Sequence, residues 1–195
     1  MPARAAQFLR ARIAGFAADA RGSLSVETAL VFPLLTMLYA GSFVWFDAFR
    51  AQNVNLKAAY TISDMISRET LPVDDVYLNG LNTIFDYLTF SRHPTHVRVT
   101  TVKCTDKCDD DAARDLEVCW SWASTGRLPH TQSSFAMFED KVPLMPKGDT
   151  VIFTETFMAY EPAFNVGIGA QSFENFIVTR PRFAPQINYN GESCY

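Results

Sequence analysis

The chain has 195 residues, 17 basic and 21 acidic side chains and a formal net charge of −4, which leaves room for one domain with a single large core. Four arginines and one aspartate precede Ser23, so everything from Ser23 onward carries a net charge of −7. This acidic surplus, without clustered lysine or arginine, excludes nucleic acid as an expected partner. Residues 1–22 are predicted to be a basic cytoplasmic leader.

Residues 28–46, which we call the uncharged run, contain no charged side chain. As a helix they extend roughly 28 Å, close to the thickness of the hydrocarbon core of a bilayer. Three arginines lie shortly before the run and two basic residues shortly after it, so we expect a single-pass transmembrane segment with a cytoplasmic N-terminus. A cleavable secretory signal peptide is disfavoured, because its apolar region is usually shorter and ends at a small-x-small site.

The helical pattern continues beyond the uncharged run, with an apolar stripe and no glycine or proline until Pro72. We therefore expect one long helix within residues 23–71, with its first half in lipid and its second half packed on a domain. Pro33 removes one backbone hydrogen bond and is predicted to kink the membrane half. Pro72, in a first-turn position before two aspartates, predicts a second helix over about 73–90.

From His96 onward the apolar period changes from helical spacing to alternation, which is typical of strands. Four strands are predicted, at about 97–100, 116–122, 151–160 and 175–180. The predicted fold class is α+β: residues 72–195 form an extracytoplasmic domain whose antiparallel sheet packs one face on the second half of the long helix. The segment 123–149 is long for an unstructured loop, so it either holds a short helix near Phe135 to Asp140 or forms a contact surface for a partner.

Four cysteines lie in the part predicted to be extracytoplasmic and indicate two disulfides. They are Cys104, Cys108, Cys119 and Cys194. Three pairings are open from the sequence; we favour Cys104 with Cys108 as a local loop closure and Cys119 with Cys194 as a tie for the C-terminal tail. A zinc site is disfavoured because three residues separate Cys104 from Cys108 and no second pair accompanies them.

The remaining chemistry-bearing residues lack the patterns of known sites, so we expect no enzymatic activity, no cofactor and no metal. The acidic loop 106–115 lacks the glycine and the final glutamate of an EF-hand, which favours a solvated loop over a calcium site. His93, His96 and His130 are expected at the surface, because a third metal ligand is not evident. There is no G-x-S-x-G motif, and Gly167–Ser172 lacks the third glycine of a dinucleotide loop.

The most informative segment is Gly22–Glu27, GSLSVE, which leads directly into the uncharged run. A glutamate in a membrane helix is disfavoured unless it reaches the headgroups or finds a partner. Cleavage after Gly22 would give Ser23 a new α-amino group, which could pair with the Glu27 carboxylate of the same or a neighbouring subunit and fix their register. We therefore assign Gly22 and Ser23 as the cleavage site and Glu27 as an assembly or recognition residue.

Residues 21–35, RGSLSVETALVFPLL, resemble the N-terminus of TadE-like minor pilins, or pseudopilins, of the tight-adherence (Flp, type IVb) pilus. The matching positions are Arg21, Gly22, Val26, Glu27, Ala29, Leu30 and Pro33. In that family a prepilin peptidase cuts after the glycine, and the glutamate at the fifth mature position supports cleavage or assembly. The resemblance implies a subunit of the bacterial inner membrane, with its domain in the periplasm, that either stays there or enters the fibre.

The partners implied by the resemblance are the prepilin peptidase, other pilins or pseudopilins, the Tad inner-membrane assembly machinery and the lipid bilayer. Thr28 departs from the pattern, because related major pilins commonly have tyrosine after the glutamate. Together with a body much larger than that of the short major Flp subunits, this favours a minor, positioning subunit. The alternative is a permanently anchored envelope receptor or adhesion protein, which predicts an unprocessed N-terminus and a helix that any other anchor could replace.

Overall fold

The computed structural model describes residues 12–18, 23–90 and 94–194. The elements in chain order are α1 (12–18), α2 (Ser23–Ser67), α3 (Asp75–Thr89), β1 (Thr95–Asp106), β2 (Asp115–Ala123), α4 (Gln132–Phe135), a 3₁₀ helix (Ala136–Lys141), β3 (Thr150–Tyr160) and β4 (Gln171–Thr179). The predicted α+β class is confirmed. We call α3, the sheet and their connections the body.

Helix α2 is unbroken over 45 residues, about 68 Å at the standard rise. Residues 24–39 are exposed on every side, whereas buried positions recur every three or four residues in the second half. Those positions are Val44, Ala48, Asn55, Ala58, Ala59, Ile62, Ser63, Ile66 and Ser67. Within the described ranges, Leu24–Ser67 is the one helix long and apolar enough to cross a membrane.

The four strands form one antiparallel sheet in the order β2-β1-β3-β4. The central strands are β1 and β3, and Val99 of β1 lies opposite Trp122 of β2 and Thr154 of β3. Successive side chains of a strand point to opposite faces of the sheet, so Val97 and Val99 of β1 pack in one core and Val102 packs in another. The sheet is therefore covered on both faces.

The first core lies between the helices and the sheet. Its members include Ile62 and Ile66 of α2, Leu78, Leu81 and Phe85 of α3, and Trp120, Trp122 and Ile152 of the sheet. The second core lies under the connection between β2 and β3, where Phe135, Val142 and Met145 pack on Val102, Val151 and Phe153. The short helix expected near Phe135 thus exists, as α4 and the 3₁₀ helix, and it covers the second face of the sheet.

The segment after β4 returns to the helical face of the body. The backbone N–H of Arg182 donates to the carbonyl of Ser67 at the end of α2, at 2.8 Å. Further along, the indole N–H of Trp120 donates to the carbonyl of Ile187 at 2.8 Å, and the ring of Tyr189 stacks on Trp120 with centroids 5.2 Å apart. The tail is therefore part of the packed structure.

Two disulfides join the four cysteines. Cys104 is bonded to Cys108 at the end of β1, and Cys119 of β2 is bonded to Cys194 in the tail, which is the pairing favoured from the sequence. The Cα separations, 5.9 Å and 5.1 Å respectively, are ordinary for disulfides. The longer bridge holds the tail on β2.

Candidate functional site

The candidate processing site lies at the start of α2. Gly22 is outside the described residues, and Ser23 is the first described residue of α2. Glu27 lies one turn further on and is exposed. Because residues four apart share a helix face, with a rise of about 6 Å between them, the Ser23 backbone nitrogen and the Glu27 side chain lie on one side of α2. A cut before Ser23 would therefore place a cation and an anion on the same face.

The threonine and serine hydroxyl groups of the uncharged run form hydrogen bonds within the helix. Thr28, Thr36 and Ser42 each donate a hydrogen bond to the carbonyl four residues earlier, at 2.8 to 2.9 Å. Such bonds give these three hydroxyl donors an acceptor within the helix in an apolar surrounding. Thr28 is thus compatible with an apolar surrounding.

Pro33 lies inside α2, within the uncharged run. It has no backbone N–H, so the carbonyl of Ala29 lacks its usual intrahelical partner. The residues on both sides stay helical. The kink expected at Pro33 stays a prediction.

The body contacts α2 within the last residues of the uncharged run. Val44 and Ala48 are 1% and 6% exposed. The hydroxyl of Tyr160 lies 3.0 Å from Oδ2 of Asp47 and 3.4 Å from the carbonyl oxygen of Val44. Burial, followed by the Asp47 carboxylate, raises the pKa of Tyr160 to about 12. The phenol therefore stays a donor near neutral pH and ties the end of β3 to the first charged residue after the run.

A second polar tie lies in the buried half of α2. Asn55 is 0% exposed, and its Nδ2 donates to the carbonyl of Phe173 in β4 at 3.1 Å. Its Oδ1 lies 3.4 Å from the hydroxyl of Thr156 in β3. Because a buried amide is disfavoured without partners, these bonds fix the position of α2 along the sheet.

A buried charged cluster lies under the connection between β2 and β3. Nε and Nη2 of Arg98 each donate to a carboxylate oxygen of Glu155 at 2.6 Å. Nε2 of His130 lies 2.8 Å from Oε2 of the same carboxylate. Burial lowers the pKa of His130 below its ordinary value, although the nearby Glu155 acts in the opposite direction. The expectation that His130 lies at the surface was wrong, because the connection folds over the sheet.

Nδ1 of His130 also lies 3.2 Å from Oγ of Ser134, so a hydroxyl, an imidazole and a carboxylate stand in series. Other bonds already occupy the two ends of this series. Arg98 takes both oxygens of Glu155, and Oγ of Ser134 accepts from the backbone N–H of Thr131 at 2.9 Å in the capping box of α4. We therefore interpret the cluster as a structural contact that holds the β2–β3 connection against the sheet.

Within residues 12–18, 23–90 and 94–194, no three His, Cys, Asp or Glu side chains are grouped closely enough to hold a metal ion. In the acidic loop, Asp106 pairs with Lys147 at 3.2 Å, and Asp111 pairs with Arg114 at 3.1 Å. His96 is half-buried in β1, and His93 lies outside the described residues. Two carboxylates of the acidic loop are therefore paired with basic side chains.

Sequence reasoning missed the polar ties that join α2 and the connection to the sheet. Asp47, Asn55, Arg98, Glu155 and Tyr160 carry no local motif, because each contact joins residues far apart in the chain. A usable signal existed for Asn55 and Glu155, since each is a polar residue at an apolar-phase position of a helix or a strand. Such positions predict buried hydrogen bonds.

No protein-family model, no curated protein and no solved structure matches this chain. The likeness to TadE-like pilins therefore rests on residues 21–35 and stays a prediction.

Proposed function

We propose that this chain is a TadE-like minor pilin or pseudopilin, which a prepilin peptidase cuts after Gly22 and which acts in the assembly or priming of a Tad (Flp type IVb) pilus. In this proposal α2 anchors it in the bacterial inner membrane with the body in the periplasm, and it acts without catalysis or a cofactor. One observation carries the proposal. Over the described range Ser23–Ser67, helix α2 is unbroken, exposed and apolar in its first half and packed in its second half.

In this proposal, cleavage changes the charges at the start of α2. The leader carries four arginines, which favour a cytoplasmic N-terminus before the cut. The cut removes them and leaves a single ammonium group on Ser23, so the remaining anion at the start of α2, Glu27, acquires a partner of opposite charge. In an apolar contact between helices an unpaired carboxylate is strongly disfavoured, so pairing selects one register between neighbouring subunits.

The exposed first half of α2 provides the contact surface for assembly in this proposal. Its large apolar side chains, such as Leu30, Phe32 and Leu34, are 65% to 69% exposed, and lipid or neighbouring helices would cover them equally well. When a neighbouring helix replaces lipid around these side chains, their apolar surroundings therefore change little. The body is held on the other half of α2 and adds bulk on one side, which suits a subunit that begins or positions a fibre.

Mapping of the mature N-terminus tests the proposal. Mass spectrometry of the chain from membranes containing the peptidase should find Ser23 as the first residue. Gly22→Leu should remain uncut, while Gly15→Leu serves as the matched control, because Gly15 lies in α1 with nothing within 4 Å of an added Cβ. An uncut wild-type chain would contradict the proposal and favour the permanently anchored envelope protein.

A further inference from the structure

The β3–β4 loop, residues 161–170, lies beside the uncharged run of α2. A Cβ atom placed on Gly41 would lie 3.5 Å from Cγ1 of Val166, so Val166 fills the space beside that glycine. A Cβ atom on Gly167 would lie 3.8 Å from the indole Nε1 of Trp45. The loop therefore packs against α2 within the run instead of beyond its end.

Two contacts define the depth of the loop along α2. At its start, Tyr160 is bonded to Asp47, the first charged residue after the uncharged run. At its tip, Val166 meets Gly41, which lies six residues earlier and so about 9 Å deeper along the helix axis. The hydrocarbon core of a bilayer is about 30 Å thick. With α2 across a bilayer, the tip of the loop lies in the outer leaflet, below the headgroups.

The composition of the loop suits that depth. No charged residue lies between Glu161 and Glu174. Phe164 is 56% exposed, and Val166 and Ile168 are half-buried. Exposed aromatic and aliphatic side chains without neighbouring charge are disfavoured in water and favoured in the boundary region of a membrane.

An open apolar groove of about 510 Å³ continues from the loop along α2 toward its N-terminus. Its walls include Leu34, Met37, Leu38, Gly41, Trp45 and Val166. Leu34 lies about 18 Å before the end of the uncharged run, close to the middle of a bilayer. The groove therefore extends from the outer leaflet to the bilayer centre, where acyl chains are the surrounding solvent.

We propose that the β3–β4 loop is a second membrane-embedded element, which inserts beside α2 into the outer leaflet while lipid acyl chains fill the adjoining groove. The proposal rests on α2 crossing the membrane, which is part of the proposed function. Lipid is favoured over a protein partner, because the loop lies at the same depth as the part of the uncharged run that lipid surrounds. Two embedded elements hold the body in one orientation on the membrane surface.

Spin labelling of the full chain in nanodiscs of phosphatidylethanolamine and phosphatidylglycerol tests the insertion. All cysteines in the described part of the chain are disulfide-bonded, so an introduced cysteine is the reactive one. A nitroxide at Phe164→Cys should be several-fold less accessible to a water-soluble nickel complex, and several-fold more accessible to oxygen, than one at Leu128→Cys. Leu128 is the matched water reference, since it is apolar and 81% exposed between β2 and α4. Leu35→Cys, in the uncharged run, is the lipid reference.

Equal access of the nickel complex to Phe164→Cys and Leu128→Cys, with Leu35→Cys shielded, would overturn loop insertion and leave the membrane span intact. Access to Leu35→Cys as well would overturn both. Spectral broadening at Phe164→Cys that grows with the number of chains per nanodisc would assign the loop to a contact between copies, and would also overturn the proposal. Ile168→Cys repeats the measurement at an independent loop position.

Discussion

The hydroxyl of Tyr160 lies 3.0 Å from Oδ2 of Asp47, which joins the last residue of β3 to the first charged residue of α2 after the uncharged run. This bond and the burial of Val44 and Ala48 fix the helix against the body at one level. Residues 24–39 lie beyond that level and contact no part of the body closely enough to be buried. The level of the Tyr160–Asp47 bond therefore separates the half of α2 that packs on the body from the half that lipid or other subunits can contact.

Tyr160→Phe should lower the free energy of unfolding by about 2 kcal/mol, because it removes a hydrogen bond to the Asp47 carboxylate without creating a cavity. Tyr87→Phe is the control, since Tyr87 is 75% exposed. The raised pKa of Tyr160 means that its contribution is complete below pH 10 and is lost as the pH rises through about 12. Urea unfolding of the full chain in detergent at several pH values measures both effects; a pH-independent difference between wild type and Tyr160→Phe would contradict the second.

Glu155→Gln should destabilise the chain by about 3 kcal/mol, because it leaves the half-buried guanidinium of Arg98 without its counter-charge. The matched control is Glu174→Gln on β4, whose side chain is 57% exposed and lies 3.9 Å from Arg127. That exposed pair should contribute less than about 1 kcal/mol. Thermal unfolding of the two variants compares them directly, and similar losses would mean that burial of the Arg98 pair has no energetic consequence.

His130 should make stability depend on pH below neutrality. Its pKa in the folded chain lies below the ordinary value of 6.5, so the unfolded chain binds the proton more readily. The stabilisation is therefore present above pH 6.5 and is lost as the pH falls below it. In the wild type the urea midpoint should fall between about pH 7.5 and about pH 5.5, and His130→Gln should make this fall smaller. Any loss that the variant shows at about pH 7.5 measures the packing that the substitution removes. An unchanged difference would assign the acid sensitivity to other groups.

The two disulfides should contribute unequally. The chain-entropy model gives about 4.5 kcal/mol for the bridge that closes 75 residues and about 2 kcal/mol for the bridge that closes four. The double variant Cys119→Ser with Cys194→Ser should therefore lower Tm more than Cys104→Ser with Cys108→Ser. The reverse order would show that the tail is held mainly by its contacts with Trp120 and Val73.

Glu27→Gln should leave membrane insertion intact and reduce piliation, because it removes the charge that pairs with the new amine on Ser23 while keeping the shape of the side chain. Thr28→Val is the neighbouring control; it deletes the internal hydroxyl bond to Leu24 without changing charge. Membrane fractionation and counts of pili measure the two outcomes. Normal piliation by Glu27→Gln would leave the carboxylate without the proposed role.

The periodicity of the sequence predicted α2, the number of strands and the bounds of β3, whereas β1 (Thr95–Asp106) is much longer than the expected 97–100 and β4 begins at Gln171, four residues before the expected start. The helix expected within residues 23–71 is observed as Ser23–Ser67, and the expected strand 151–160 is observed as Thr150–Tyr160. These elements were predictable because the apolar spacing that buries one face of a helix or strand is local in sequence. The segment 123–149 was less predictable, since its aromatic residues match a face of the sheet that no local pattern identifies.

The sequence by itself determined where the apolar segments lie: an uncharged run with a glutamate at its start, a second half of α2 with a packing stripe, and strands rich in β-branched and aromatic residues. Only the tertiary structure decided which distant residues meet. It joined Tyr160 to Asp47 and Glu155 to Arg98, buried His130, and set the β3–β4 loop beside Gly41. The physical reason is that burial follows from patterns within one element, whereas these polar pairs and the depth of the loop depend on how elements far apart in sequence are brought into register.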